Sequence, residues 1–266
     1  MTLQWSVPVG ARLTTAGLAR FLWHGAAALV LDIAQRWGTP RPAWEQHGPH
    51  LAESTDTHLG HAIAGRLARR LGGKLVAPAI TLGSYEMNMS LAGTVSLRAS
   101  TLEAVLFDVC ESLSRHGFQE IILLNAHGGN YPVLRDVLPR LRDAHPTLRI
   151  MATLQSDAER GKRFALREGL DVARLGTHAG QTETSMMLAY RPDLVQMSKA
   201  CEGYVGDLSA AVAEFMTTKK FPPVDALSPT GILGNARGST REFGERMLAD
   251  RAEYLAEMIQ TMSLGE

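Results

Sequence analysis

From Lys74 onward, short β-branched or apolar runs alternate with longer segments of helical apolar spacing, and this alternation constrains the fold more than any other feature of the chain. Lys74–Ile80 and Thr94–Leu97 read as strands. Thr101–Arg115 reads as a helix, with Leu102, Val105, Leu106, Val109 and Leu113 recurring at helical spacing. Glu120–Leu124 reads as a buried strand, Tyr131–Ala144 as a helix and Leu148–Leu154 as a further strand, and a C-terminal helix covers about Thr240 to Met262. Strands separated by helices of this length form βαβ units, so the expectation is an α/β fold with a mostly parallel sheet. Phe221–Pro229 reads as a surface loop, and no linker splits the pattern, which gives one domain over residues 1–266.

Composition narrows the function classes. Lys and Arg total 27 and so do Asp and Glu, so the net charge is zero and no basic excess exists to hold nucleic acid. No apolar run reaches the roughly 20 residues that a membrane span needs. The start, MTLQWSVPVGARLTTAG, lacks an apolar signal-peptide core, so a cytoplasmic protein is expected. The two cysteines, Cys110 and Cys201, are too few for a disulfide framework or a four-cysteine zinc site. Cys110 falls on the apolar side of its helix and reads as a structural thiol.

In sheets of this kind, ligands bind beyond the carboxyl ends of the strands. Three segments there concentrate unusual residues. Glu45-Gln46-His47-Gly48-Pro49-His50-Leu51 places a carboxylate and an imidazole two residues apart, with Asp56 following a turn just before the helix read over His58–Leu71. These donors suit a divalent ion such as zinc, manganese or iron. Spacing alone leaves open that Asp56 only caps the next helix. Asn125-Ala126-His127-Gly128-Gly129-Asn130 follows a buried strand; here Asn130 as a helix cap with an incidental His127 is the competing reading. In His178-Ala179-Gly180-Gln181-Thr182-Glu183-Thr184-Ser185, leading into the helix read over Met186–Tyr190, Glu183 is explained equally by the helix dipole. The chain has no G-x-S-x-G elbow and no G-x-G-x-x-G after a strand, which disfavours serine acyl transfer and dinucleotide chemistry.

Taken together, EQHGPHL with an aspartate eleven residues after its glutamate, NAHGGN after a strand, HAGQTETS opening a helix, LAGTVSL at Leu91–Leu97 and GILGNARGST at Gly231–Thr240 resemble the creatininase (creatinine amidohydrolase) family of metal-dependent hydrolases. The resemblance implies a single three-layer α/β/α domain, usually assembled as a homohexamer, that holds two divalent metal ions. It implies Asp56 as the bridging carboxylate, Glu45 and His127 as ligands of one ion and His47 of the other. In creatininase proper the second ion also takes a glutamate two residues after the histidine of the second motif. That position is Gly129 here, so the duty falls to Glu183. His178 matches the catalytic histidine of the family. His50 is a candidate for outer support of the ligands. The implied reaction is hydrolysis of an amide-type C–N bond in a small molecule, cyclic or formamide-like, by a metal-activated bridging hydroxide. C–C cleavage of a cyclic ketone at the same residues, or a non-catalytic metal-binding scaffold, are the alternatives.

The match departs in two places. Pro42 and Ala43 stand where relatives carry a Gly-Ser pair after a strand, and the nearest strand candidate is Ala26–Ile33 upstream. This divergent N-terminal part, residues 1–42, together with Ala43 and Trp44, contains all four tryptophans (Trp5, Trp23, Trp37 and Trp44), which read as packing residues or as a wall over the substrate. Before Gly93-Thr94, Met87-Asn88 and Leu91-Ala92 stand where many relatives have Glu-His and Phe-Pro. A substrate other than creatinine is therefore expected.

Overall fold

The computed structural model describes residues 27–31, 45–154, 164–171 and 175–264. The four tryptophans, Pro42 and Ala43 lie outside them.

Four strands form a sheet among these residues: β1 (Ala27–Leu31), β2 (Leu75–Val76), β3 (Glu120–Asn125) and β4 (Arg149–Ala152), in the order β2-β1-β3-β4. Every pairing is parallel; Ala27 stands opposite Ile121 and Ile121 opposite Ile150. The crossovers carry α1 (Thr55–Arg70), α2 (Ala99–Arg115) and α3 (Tyr131–Ala144). After β4 come α4 (Gln181–Tyr190), α5 (Ser209–Thr218), the one-turn α6 (Val224–Leu227) and α7 (Arg241–Leu264).

Side chains alternate across a strand, and β3 shows where each face goes. Ile121 and Leu123 pack with Leu106 of α2 and Leu134 of α3. Ile122 and Leu124 pack with Ile63 of α1, Met186 of α4 and Leu248 of α7. Helices thus cover both faces of a parallel sheet, and this is why β3 is apolar at successive positions rather than alternating. Cys110 is fully buried in the first of these clusters, and burial pushes its thiol up to about 12, as suits a packing residue.

Three expectations need correction. Lys74–Ile80 keeps only Leu75–Val76 as strand; Pro78 has no N–H to give a ladder, and the two strand residues lie at the exposed sheet edge. Thr94–Leu97 is not a strand. Its polar atoms clasp loops instead: Gln46 N donates to Thr94 Oγ1 at 3.3 Å and Leu97 N to the Gly83 carbonyl at 2.8 Å. Phe221–Pro229 is not wholly a surface loop, since it contains α6, whose Val224 is buried against Leu91 and Leu233. The other expected elements shift only at their ends; α1 starts at Thr55 rather than His58, and α4 at Gln181 rather than Met186, while α5 was not expected from the sequence.

The chain runs from β1 out to β2 on one side and from β3 to β4 on the other. The carboxyl ends of β1 and β3 therefore flank a point where the connections diverge, the place where open parallel sheets bind ligands.

Candidate metal centre

Six side chains from five segments meet at that point. Glu45 and His47 come from the loop between β1 and α1, Asp56 from the first turn of α1, and His127 from two residues beyond β3. His178 comes from the turn before α4, and Glu183 from that helix's first turn. All the residues expected to form the site are brought together.

Local constraints explain how the loops hold this shape. Gly48 has φ +68, and a Cβ there would lie 2.9 Å from the His50 ring and from Ile232, so the turn after His47 accepts only glycine without strain. Gln46 ties this loop to the GILGNARGST segment, its Nε2 donating to the Thr230 carbonyl at 3.0 Å while its Oε1 accepts from Gly48 N. That segment in turn brackets His178, with Leu233 N donating to the His178 carbonyl at 2.9 Å and Thr177 N to the Leu233 carbonyl. Ala179 adopts φ +51, uncommon for a residue with a Cβ, and its N–H donates to Glu183 Oε2 at 2.6 Å.

The donor atoms fall into interlocking trios. Glu45, Asp56 and His127 form one, with His127 Nδ1 at 3.0 Å from Glu45 Oε2 and 3.1 Å from Asp56 Oδ2. His47, Asp56 and Glu183 form another, with His47 Nε2 at 3.3 Å from Asp56 Oδ1 and 3.8 Å from Glu183 Oε2. Asp56 is common to both. Glu45, His47 and His178 form a third trio, with His178 Nδ1 at 3.6 Å from Glu45 Oε1 and its ring 4.4 Å from that of His47. The side chains of Glu45 and His47 are 1% and 0% exposed and that of Glu183 is 19%, so the site opens on the Glu183 side.

Electrostatics show what the cluster lacks. Both carboxylate oxygens of Glu45, Asp56 Oδ2 and His47 Nε2 are buried without a hydrogen-bond partner among the described residues. Burial raises the Glu45 carboxyl to about 7 against the pull of His127, and burial also raises that of Glu183. Burial works to lower both imidazoles, but the surrounding carboxylates outweigh it: Glu45 and Asp56 hold His127 up at about 10, and Asp56 and Glu45 hold His47 well above its usual range. Those imidazoles in turn keep Asp56 well below the usual carboxylate range despite its burial. Carboxylates and imidazoles thus shift one another's protonation within a largely buried space. Nitrogen and carboxylate oxygen donors of this kind fit zinc, manganese or iron.

Two competing readings of these residues are settled by the contacts. Ser54, not Asp56, is the N-cap of α1, and the Asp56 carboxylate faces the imidazoles. Asn130 does precede α3 as a cap by position, but its Oδ1 accepts from Ser84 N at 2.8 Å and so pins the neighbouring loop. His50 touches none of the donor atoms; its Nε2 lies 2.8 Å from Thr184 Oγ1, one residue past Glu183. Sequence reasoning missed Gln46, Tyr85, whose ring meets that of His127 at 4.6 Å, and Asn88, whose amide reaches His178. Gln46 carried a signal in its place between two ligands, and Asn88 in the departure from the Glu-His pair before Gly93-Thr94.

The family model for creatininase (creatinine amidohydrolase) matches residues 38–259. The chain belongs to the creatininase family. Creatininase-family proteins are metal-dependent hydrolases, and this chain is a hydrolase of that type. It is 30% identical over 234 residues to the mycofactocin precursor peptide peptidase of Mycobacterium ulcerans, covering 85% of each chain. It is 29% identical to the creatinine amidohydrolase of Pseudomonas putida, over 83% of this chain and 87% of that one. A solved structure described as "Creatininase Mn" superposes with a TM-score of 0.70 at 26% identity, over 94% of this chain and 96% of that one. The likeness to that structure covers 94% of this chain, and the described residues hold a set of candidate metal-binding groups.

Proposed function

We propose that this creatininase-family protein hydrolyses an amide-type C–N bond in a small molecule, using two divalent ions held by Glu45, Asp56, His127, His47 and Glu183. The observation that carries this reading is the pair of donor trios sharing Asp56, with carboxylate oxygens buried and unbonded. Glu45 and His127 complete one ion's set and His47 and Glu183 the other's, with Asp56 common to both. The tightness at Gly129 supports Glu183 in this role: a Cβ there would lie 2.1 Å from the Ser84 carbonyl oxygen and 2.5 Å from His127 Nε2, leaving no room for a carboxylate. When bound, such a pair of ions polarises a carbonyl and lowers the pKa of a shared water toward neutrality.

The protein's own groups then handle the proton. Burial is the largest cause that lowers His178, to about 3 in the metal-free protein, and it favours a neutral ring. Its Nε2 sits 2.7 Å from the Gln46 carbonyl, to which it donates, so Nδ1 is the free lone pair. Nδ1 takes the proton from the attacking water and returns it to the departing nitrogen. The single domain, the homohexamer and the cytoplasmic setting belong to the same proposal, supported by the family match over residues 38–259. A peptide amide falls within this class, as the peptidase relative suggests.

The test is hydrolysis of creatinine, N-formyl compounds and short peptides by protein that has been stripped of metal and reloaded. Turnover that appears only after zinc or manganese is restored supports the reading. Turnover that is unchanged in the stripped protein refutes it.

A further inference from the structure

We infer that Asn88 is a positioning residue for His178, its side-chain oxygen acting with the Gln46 carbonyl to fix the ring with its proton on Nε2. Asn88 closes the 3-10 turn Glu86–Asn88, where its N–H donates to the Tyr85 carbonyl at 2.9 Å and its carbonyl accepts from Leu91 N at 2.9 Å. The residue is 2% exposed, and its Nδ2 lies 3.4 Å from His178 Nε2 while its Oδ1 is buried without a hydrogen-bond partner among the described residues.

These contacts do not fit one another as they stand. A carbonyl oxygen 2.7 Å from a ring nitrogen requires that nitrogen to donate, so His178 Nε2 carries the hydrogen. The alternative proton position, Nδ1, is 3.6 Å from Glu45 Oε1, too far for a hydrogen bond. With the hydrogen on Nε2, an amide NH2 group facing it sets donor against donor and strands the amide oxygen. A half-turn about the Asn88 Cβ–Cγ bond exchanges the two ends of the amide. Oδ1 then faces Nε2–H, which replaces the donor-against-donor contact and gives the amide oxygen a partner. His178 thereby gains two acceptors on one side, which point its bare Nδ1 toward Glu45. A ring nitrogen's hydrogen-bond partner decides which nitrogen is left free to work.

This inference rests on the reading of His178 as the proton carrier, but its test does not use turnover. Neutron diffraction from the deuterated, zinc-loaded protein locates the deuterons directly. The expected result is a deuteron on His178 Nε2 with Asn88 Oδ1 facing it. A bare Nε2 facing the ND2 group, or a deuteron on Nδ1, overturns the inference. A second measurement reads the solid-state 15N signal of the His178 Nε2–H group in wild type, Asn88→Asp and Asn88→Leu, with that signal identified by its loss in His178→Gln. Asp keeps an acceptor and preserves the signal, whereas Leu shifts it or splits it into two tautomers. Equal effects from Asp and Leu, or no effect from either, mean that Asn88 only fills space. Elemental analysis of the same samples keeps the two failures apart: a wild-type protein that never binds metal refutes the hydrolase reading, whichever way Asn88 points.

Discussion

Substituting Gly129 with alanine probes a place where this site excludes a side chain. The added Cβ would meet the Ser84 carbonyl oxygen at 2.1 Å, His127 Nε2 at 2.5 Å and His127 Cδ2 at 2.9 Å, whereas ordinary contact begins at 3.4 Å. Relief therefore requires a movement of about 1.3 Å, and both neighbours are restrained. Ser84 N is bonded to Asn130 Oδ1 at 2.8 Å and the next residue's N to Ser96 Oγ at 2.9 Å, while His127 is held by Glu45 and Asp56. Overpacking a tight site of this kind costs about 1–3 kcal/mol. For a chain of this size each kcal/mol lowers the melting temperature by about 2–4 °C, so a fall of about 2–12 °C is expected. If the His127 ring gives way instead, ion affinity falls by about 10–100-fold, the usual penalty for disturbing a ligand's orientation. Calorimetric melting and zinc titration of Gly129→Ala separate the two. A variant that melts within about 1 °C of wild type and binds zinc equally well would refute the reasoning, since the loop at Ser84 would then have room. The double variant Glu183→Ala with Gly129→Glu sharpens the test: recovery of the second ion would show that position 129 can hold a ligand after all.

Glu183→Ala alone should lower the metal content from about two ions per chain to about one, with the fold retained, as elemental analysis would show. In the metal-free protein His127 keeps its proton up to about 10 instead of the ordinary 6.5, so the stability it contributes is full below the lower value and is lost as pH rises toward the upper one. Glu45, raised from 4.5 to about 7, works the same way at lower pH: the folded state binds the extra proton, and stability falls as pH rises between those values. Melting of chelator-treated protein across both windows, set against the metal-loaded protein, should show this loss only in the former. Metal binding at neutral pH should release protons from His127 and His47, measurable by titration calorimetry in buffers of different ionisation enthalpy. Leu106→Ala, in the core layer remote from the site, should cost about 2–5 kcal/mol by denaturant unfolding without changing the ion count.

The helices with one apolar side were legible, and α3 begins and ends where its spacing says, whereas α5 and the one-turn α6 went unread. The strands were less so. β3 is buried on both faces and stands out as an unbroken apolar run, whereas β2 is an exposed edge fragment cut short by Pro78. Thr94–Leu97 has the composition of a strand, but its hydroxyl and amide groups are used on Gln46 and Gly83, partners 48 and 14 residues away that no local pattern reveals. The same limit applies to the site. Glu45, His47, Asp56, His127, His178 and Glu183 were legible as motif residues, since the donor types an ion needs are few. Asn88 was legible only as a departure from the family pattern, and its contact with His178, like that of Tyr85 with His127, is made only after folding.

The charge count at the centre links these observations. Glu45, Asp56 and Glu183 bring three carboxylates into a largely buried space, where protons on His47 and His127 offset part of their charge and Arg251 also acts on Glu183. Buried carboxylates are stable only when paired or coordinated, and protonated imidazoles are poor substitutes because they desolvate in turn. Counting the five ligands alone with their carboxylates ionised, two divalent ions in place of two protons would reverse the sign, from a net deficit of one positive charge to an excess of one. His178, kept neutral by burial and by the charge on His47, is the one ring that would not have to give up a proton when this happened. That difference marks it off from His47 and His127: two imidazoles whose carboxylate neighbours suit them to ligation, and a third whose free nitrogen suits it to carrying a proton.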